Sequence, residues 1–310
     1  MQAPRLAPSL FRRITFVAAV AVGFIIVTGG AVRLTGSGLG CPDWPTCESN
    51  RVVAPLEYHA MVEFVNRMIT GVVSVAVIVA VLGALVRQPR RRDLTWLSLG
   101  LVGGVVAQIV LGGLTVLFHL KPQFVMGHFL LSMALLADAV VLHHRAGQPD
   151  GGTVRPVVPR ELRPMGWIVV AAAGLAIFLG TVVTGTGPHG GDPNVERLPF
   201  LVPDVARAHG TSVILFLGAT LVTLWRLRRA GAPPALLRAG EVLVAVSVAQ
   251  AGVGYAQYFL GVPVLLVGIH IAGAAAVWAA ALNFLLGFTT QVAAPVPSVP
   301  RPSLTEVQPA

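Results

Sequence analysis

Eight apolar runs punctuate the chain, each long enough to cross a lipid bilayer. They cover about 13–33, 60–86, 95–117, 124–144, 164–185, 206–227, 239–260 and 264–287. At about 1.5 Å per residue, some 20 helical residues traverse a hydrocarbon core roughly 30 Å thick. Lipid offers the backbone no hydrogen bonds, so each run satisfies its own N–H and C=O groups as a helix. Composition agrees: 55% of the 310 residues are hydrophobic and 11% are charged, against about 25% charged in a soluble domain. The first run follows Arg12-Arg13 as the core of a signal peptide would. No Ala-x-Ala-like cleavage site comes after it, so it reads as a retained first span.

The net charge of +9 comes from arginine, since Lys121 is the single lysine. In a soluble protein that balance would suggest nucleic acid. Here the arginines collect between apolar runs, at Arg5, Arg12 and Arg13, Arg87 to Arg92, Arg145 to Arg163, and Arg226 to Arg238. They orient the chain, and no nucleic-acid partner is expected. The alternate loops hold Asp43, Glu48, Glu57, Asp192, Glu196 and Asp204. The positive-inside rule then puts both termini in the cytoplasm of a multi-pass cell (plasma) membrane protein, with the acidic loops outside.

One stretch occurs twice. Gln108 precedes His128 by 20 residues, and Gln250 precedes His270 by the same interval, 142 residues further on. Each half reads as helix, long outer loop, helix, inner loop, helix, short outer turn, helix. The copies share one orientation, which makes a parallel repeat about an axis along the membrane normal. The expected fold class is therefore an all-α integral membrane protein, with eight transmembrane helices in two pseudo-symmetric four-helix bundles. Residues 1–146 form the N-terminal half, 147–163 a cytoplasmic linker rich in Gly and Pro, and 164–288 the C-terminal half. Residues 289–310, with five prolines, are expected to be a disordered cytoplasmic tail.

Ionisable groups inside spans are costly and mark function by default. At helical depth the chain has Glu63, Arg67, His128, Asp138, His209, Glu241 and His270. Asp138 and Glu241 lie toward inner helix ends, where interfacial or interhelical hydrogen bonding accounts for them. His59, His119, His143 and His144 fall at interfaces. His128, His209 and His270 share one depth, one to two turns below the outer surface. Buried hydrogen-bonding histidines are one reading of them. Two imidazoles facing each other across a helical bundle are also a ligand pair for haem iron, whereas structural zinc wants more ligands, usually sulfur. The position matching His209, 143 residues earlier, holds Asn66. His209 and His270 thus make a pair, while His128 faces Asn66. An iron with one strong ligand keeps a position where chemistry happens. Glu63 shares a helical face with Asn66 and lies four residues from Arg67. Its carboxylate reads either as an ion-pair partner of Arg67 or as a catalytic group.

Cys41 and Cys47 are the only cysteines, in Gly36-Ser37-Gly38-Leu39-Gly40-Cys41-Pro42-Asp43-Trp44-Pro45-Thr46-Cys47. On the oxidising side of a membrane a disulfide is the natural reading. Spacing does not separate a structural staple from a redox-active pair. In the second long loop, Gly185 to Gly191 brackets His189, which alone is weak evidence of ligation.

Over about residues 14–287 the chain resembles the haem A synthases, membrane enzymes that convert haem O to haem A for cytochrome oxidase. The resemblance rests on Gly29-Gly30-Ala31-Val32-Arg33-Leu34-Thr35-Gly36-Ser37-Gly38, the Cys-Pro-Asp-Trp-Pro-x-Cys loop, and Glu63-Phe64-x-Asn66-Arg67 with Thr70-Gly71. It also uses Thr186-Gly187-Pro188-His189-x-Gly191-Asp192, Ala208-His209 and Gly268-Ile269-His270. It implies a pair of four-helix bundles. The C-terminal half would hold a b-type haem through His209 and His270. The N-terminal half would take haem O at His128, with Asn66 and Arg67 beside it and Glu63 in catalysis. The family often has a second histidine where Asn66 stands. The implied reaction hydroxylates a haem methyl group twice, and the gem-diol loses water to give a formyl group. Haem O synthase would supply the substrate. The electron acceptor stays unnamed, and a homo-oligomer is compatible with the sequence. Two other functions use similar parts: a di-haem cytochrome oxidising quinol, and a haem transporter or chaperone. The first wants a fourth ligand, and the second needs no catalytic carboxylate.

Overall fold

A computed structural model describes residues 5–48 and 53–292. Its helices are α1 (Pro8–Leu34), α2 (Tyr58–Val86), α3 (Arg92–Leu117), α4 (Pro122–Ala146), α5 (Arg163–Thr186), α6 (Val202–Arg229), α7 (Pro234–Phe259) and α8 (Val264–Leu286). All eight are long and apolar enough to cross a membrane, and the protein is a multi-pass membrane protein. The helices outrun their apolar stretches by a few residues. Proline at the first turn opens α1, α4, α5, α6 and α7, where the missing N–H costs nothing. Arginine closes α6, with Arg226, Arg228 and Arg229 in the last turn against the negative end of the helix.

Within the first four helices, α1 packs on α2 and α4, and α3 packs on α2 and α4. Among the last four, α5 packs on α6 and α8, and α7 packs on α6 and α8. Across the halves, α8 meets α1 and α4, and α4 meets α5. Small residues let these backbones approach: Ile271 of α8 lies over Gly30 of α1. The Trp278 indole N–H donates to the Met133 carbonyl at 2.9 Å, tying α8 to α4. Phe11, Leu94, Leu101, Leu142, Leu243 and Phe284 are fully buried. Phe16, Phe24, Leu82, Trp96, Ile214 and Leu215 face outward, a surface suited to lipid rather than water.

The arginine-rich end is sewn together by the termini and the linker. Leu6 and Gln88 exchange backbone bonds with Val86 and Leu6 at 3.1 Å. Arg87, 1% exposed, donates to Asp150 at 2.8 Å. A two-stranded antiparallel ribbon joins β1 (Thr153–Pro156) to β2 (Thr289–Val292). The sequence reading had a cytoplasmic linker at 147–163 and a disordered tail at 289–310. The strand at 289–292 is a correction to that tail, and residues 293–310 lie outside the described residues. Its cause is non-local: two short β-branched segments become a strand pair only when the helices bring them side by side.

At the opposite end the two long loops meet. Gly38 N–H donates to the Gly191 carbonyl at 3.0 Å, and Arg33 at the end of α1 donates to the Thr184 carbonyl of α5 at 2.8 Å.

Candidate functional site

His209 on α6 and His270 on α8 face each other, with ring centres 6.3 Å apart and planes 81° from parallel. His209 Nδ1 lies 2.9 Å from the Ala176 carbonyl oxygen. A carbonyl only accepts, so Nδ1 carries the proton and Nε2 keeps its lone pair for a metal. His270 Nδ1 is buried without a hydrogen-bond partner. Two metal–imidazole bonds of about 2.1 Å, plus about 1.1 Å from each nitrogen to its ring centre, span roughly 6.4 Å. The observed separation therefore suits two axial ligands of one iron. No group of three or more His, Cys, Asp or Glu among the described residues is placed to hold a metal ion. Two imidazoles alone are too few for structural zinc and suit an ion that brings its own macrocycle.

Each of the three histidines is seated on a glycine of the neighbouring helix. A Cβ on Gly180 of α5 would stand 3.3 Å from His209 Cε1. One on Gly254 of α7 would stand 3.1 Å from His270 Cε1, and one on Gly112 of α3 would stand 3.3 Å from His128 Cε1. The repeated glutamines complete two of the seats. Gln250 Nε2 donates to the His270 carbonyl at 2.7 Å, and Gln108 Nε2 donates to the His128 carbonyl at 3.2 Å. Gln108 and Gly112, like Gln250 and Gly254, are four apart and share a helical face. The constant Gln-to-His interval is thus a cross-helix hydrogen bond. Sequence reasoning used the interval to find the repeat and gave the glutamines no role.

The first half differs. His128 Nδ1 and Asn66 Oδ1 are both buried without a hydrogen-bond partner, and no hydrogen bond joins the two residues among the described ones. Asn66 lines a groove of about 490 Å³ between α1 and α2, together with Ala31, Val32, Met61, Val65 and Ile69.

Glu63 and Arg67 grip the loop between α1 and α2. Glu63 is 6% exposed. Its Oε1 accepts from Arg67 at 2.6 Å, and its Oε2 accepts the Cys41 N–H at 2.8 Å. Arg67 also donates to the carbonyls of Cys41 and Asp43 at 3.2 Å and of Thr46 at 3.0 Å. Cys41 and Cys47 form a disulfide, and both are buried. Trp44 from this loop lies on Gly113 of α3. The ion pair of Glu63 with Arg67 is present, three residues from Asn66.

Several of the other polar groups singled out in the sequence have local partners. His59 bonds Ser37 at 2.9 Å, His143 bonds Thr15 at 3.1 Å, and Glu241 pairs with Arg228 at 2.7 Å. His189 bonds the Val262 carbonyl at 2.9 Å, which serves the loop. Asp138 packs on Gly100 of α3.

The family described as cytochrome oxidase assembly protein matches residues 12–188. The haem A synthase of Alkalihalophilus pseudofirmus is 27% identical over 226 residues, 69% of this chain and 75% of that protein. The haem A synthase of Exiguobacterium sibiricum is 26% identical over 164 residues, 53% of this chain and 55% of that protein. That of Lysinibacillus sphaericus is 29% identical over 130 residues, 41% of this chain and 42% of that protein. The chain thus spans from about two fifths to three quarters of the length of these relatives. Because the family match covers more than half of its residues, the chain belongs to the cytochrome oxidase assembly protein family, that of the haem A synthases.

Proposed function

We propose that the protein is a haem A synthase, which oxidises a methyl group of haem O to a formyl group by two successive hydroxylations. The observation that carries this reading is the inequality of the halves. The His209 and His270 rings face each other at 6.3 Å, whereas the position matching His209 in the first half holds Asn66. Two strong ligands favour a resident haem that moves electrons, and one leaves an iron reactive. The two halves then act as two four-helix bundles, 1–146 for substrate and 164–288 for cofactor. The arginine-rich end lies in the cytoplasm, as the positive-inside rule requires.

In the second half His209 and His270 would hold a b-type haem, which supplies one-electron transfer when bound. The Ala176 carbonyl fixes the His209 tautomer, and Gln250 fixes the height of His270. In the first half His128 would hold the substrate iron, and Asn66 would stand where the second half has an imidazole. Arg67 and the Cys41 N–H each bond one oxygen of Glu63 and favour its charged form against the cost of burial. Its role is then electrostatic, stabilising positive charge as the methyl carbon is oxidised, since taking a proton would weaken the bonds from Arg67 and Cys41. Water supplies the oxygen, and a separate acceptor takes the electrons.

The test expresses the full chain in cells that make haem O and lack any other haem A synthase, then separates the extracted haems. Haem A is the expected product. Haem O alone, with a bound b-type spectrum, would identify an electron-transfer cytochrome. Haem O alone without such a spectrum would identify a carrier.

A further inference from the structure

Two arginines that this chemistry does not use converge on one glycine pair at the loop end. Arg33 lies in the last turn of α1, with its Cγ 3.7 Å from where a Cβ on Gly191 would stand. Arg197, in the loop between α5 and α6, lays its guanidinium on Gly190 so closely that a Cβ there would collide with it. The two side chains thus lie against adjacent glycines. Among the described residues neither arginine has an ion-pair partner. Arg33 gives one N–H to Thr184, and its Nε is buried with no partner.

A like-charged pair at a span end, with an unused N–H donor, is costly unless an anion is there. The surrounding backbone is built for the approach. Gly191 holds φ at +101°, its carbonyl is tied to Gly38, and Gly190 gives Arg197 room. A guanidinium fork matches a carboxylate with two parallel bonds. We propose that Arg33 and Arg197 form a seat for a carboxylate of the bound porphyrin, at the junction where the two halves meet. The proposal rests on the haem-binding reading above. It adds a positively charged anchor at the edge of the macrocycle to the axial ligands at its centre. A phospholipid headgroup also carries an anion, and the test separates the two.

Full-length protein from haem-limited cells, in discs of zwitterionic lipid, is titrated with iron protoporphyrin IX and with its dimethyl ester. The Soret band reports binding. The wild type should bind the free acid roughly tenfold more tightly than the ester, as expected for a charge-assisted bond. Arg197→Gln should remove that preference and leave ester affinity unchanged, and Arg33→Lys should retain part of it. Arg197 is the main variant because it leaves the Arg33 bond to Thr184 intact. Equal loss for acid and ester, or no loss for either, overturns the proposal. An Arg197→Gln effect that disappears in zwitterionic discs and returns with anionic lipid also overturns it, in favour of a headgroup. Wild type that binds neither porphyrin overturns the haem-binding reading itself, and this seat with it.

Discussion

Gln250 and Gly254 act on His270 from one face of α7. The amide holds the backbone carbonyl at 2.7 Å, and the missing Cβ makes room for the ring. Together they set how far the imidazole reaches from α8. Supporting groups of this kind typically change metal affinity by about 10- to 100-fold when removed. Gln250→Leu keeps the volume and loses the donor. Its haem retention should fall within that range, with a shifted reduction potential, while Val248→Leu on the exposed face of the same helix leaves both unchanged. Wild-type retention and potential in Gln250→Leu would reduce the glutamine to packing. The role was not legible in sequence, because a backbone carbonyl acceptor leaves no residue type to recognise. The spacing alone was visible, as half of a repeat. The three histidines were legible because imidazole is rare and costly in a span.

The start of α2 and the loop it grips work as one element. Arg67 holds Glu63 and the carbonyls of Cys41, Asp43 and Thr46. Arg67→Ala would leave a buried carboxylate without its counter-charge, a loss on the order of 3 kcal/mol. Thermal unfolding in detergent should show it, and adding Glu63→Gln should recover much of it. Full additivity of the two changes would mean the pair is not coupled. Glu63→Gln alone should keep the haem spectrum and stall conversion of haem O, whereas normal haem A output contradicts a role in catalysis. The i, i+4 spacing made the ion pair readable in sequence. The engagement of Glu63 with the Cys41 N–H was not, since it depends on how a loop folds back over a helix. Helix positions were readable to within a few residues because apolar length dictates them. Their ends ran on into proline and arginine, which hydropathy does not count.

At the scale of the whole molecule, the halves repeat in helix order and in the Gln-to-His bond, then diverge where Asn66 matches His209. His209 has its tautomer fixed by Ala176, and the matching Asn66 opens onto an apolar groove. The divergence was legible from a single misaligned residue. The ribbon of β1 with β2 and the meeting of the two long loops were not, because both join segments far apart in the chain. The central claim is that the second half, not the first, holds a resident haem between His209 and His270. Low-temperature electron paramagnetic resonance of the oxidised, purified full chain tests it most directly. Imidazole planes 81° apart predict a strongly anisotropic low-spin ferric signal. That signal should vanish in His209→Ala and persist in His128→Ala. Its survival in His209→Ala, or its loss in His128→Ala, would contradict the account.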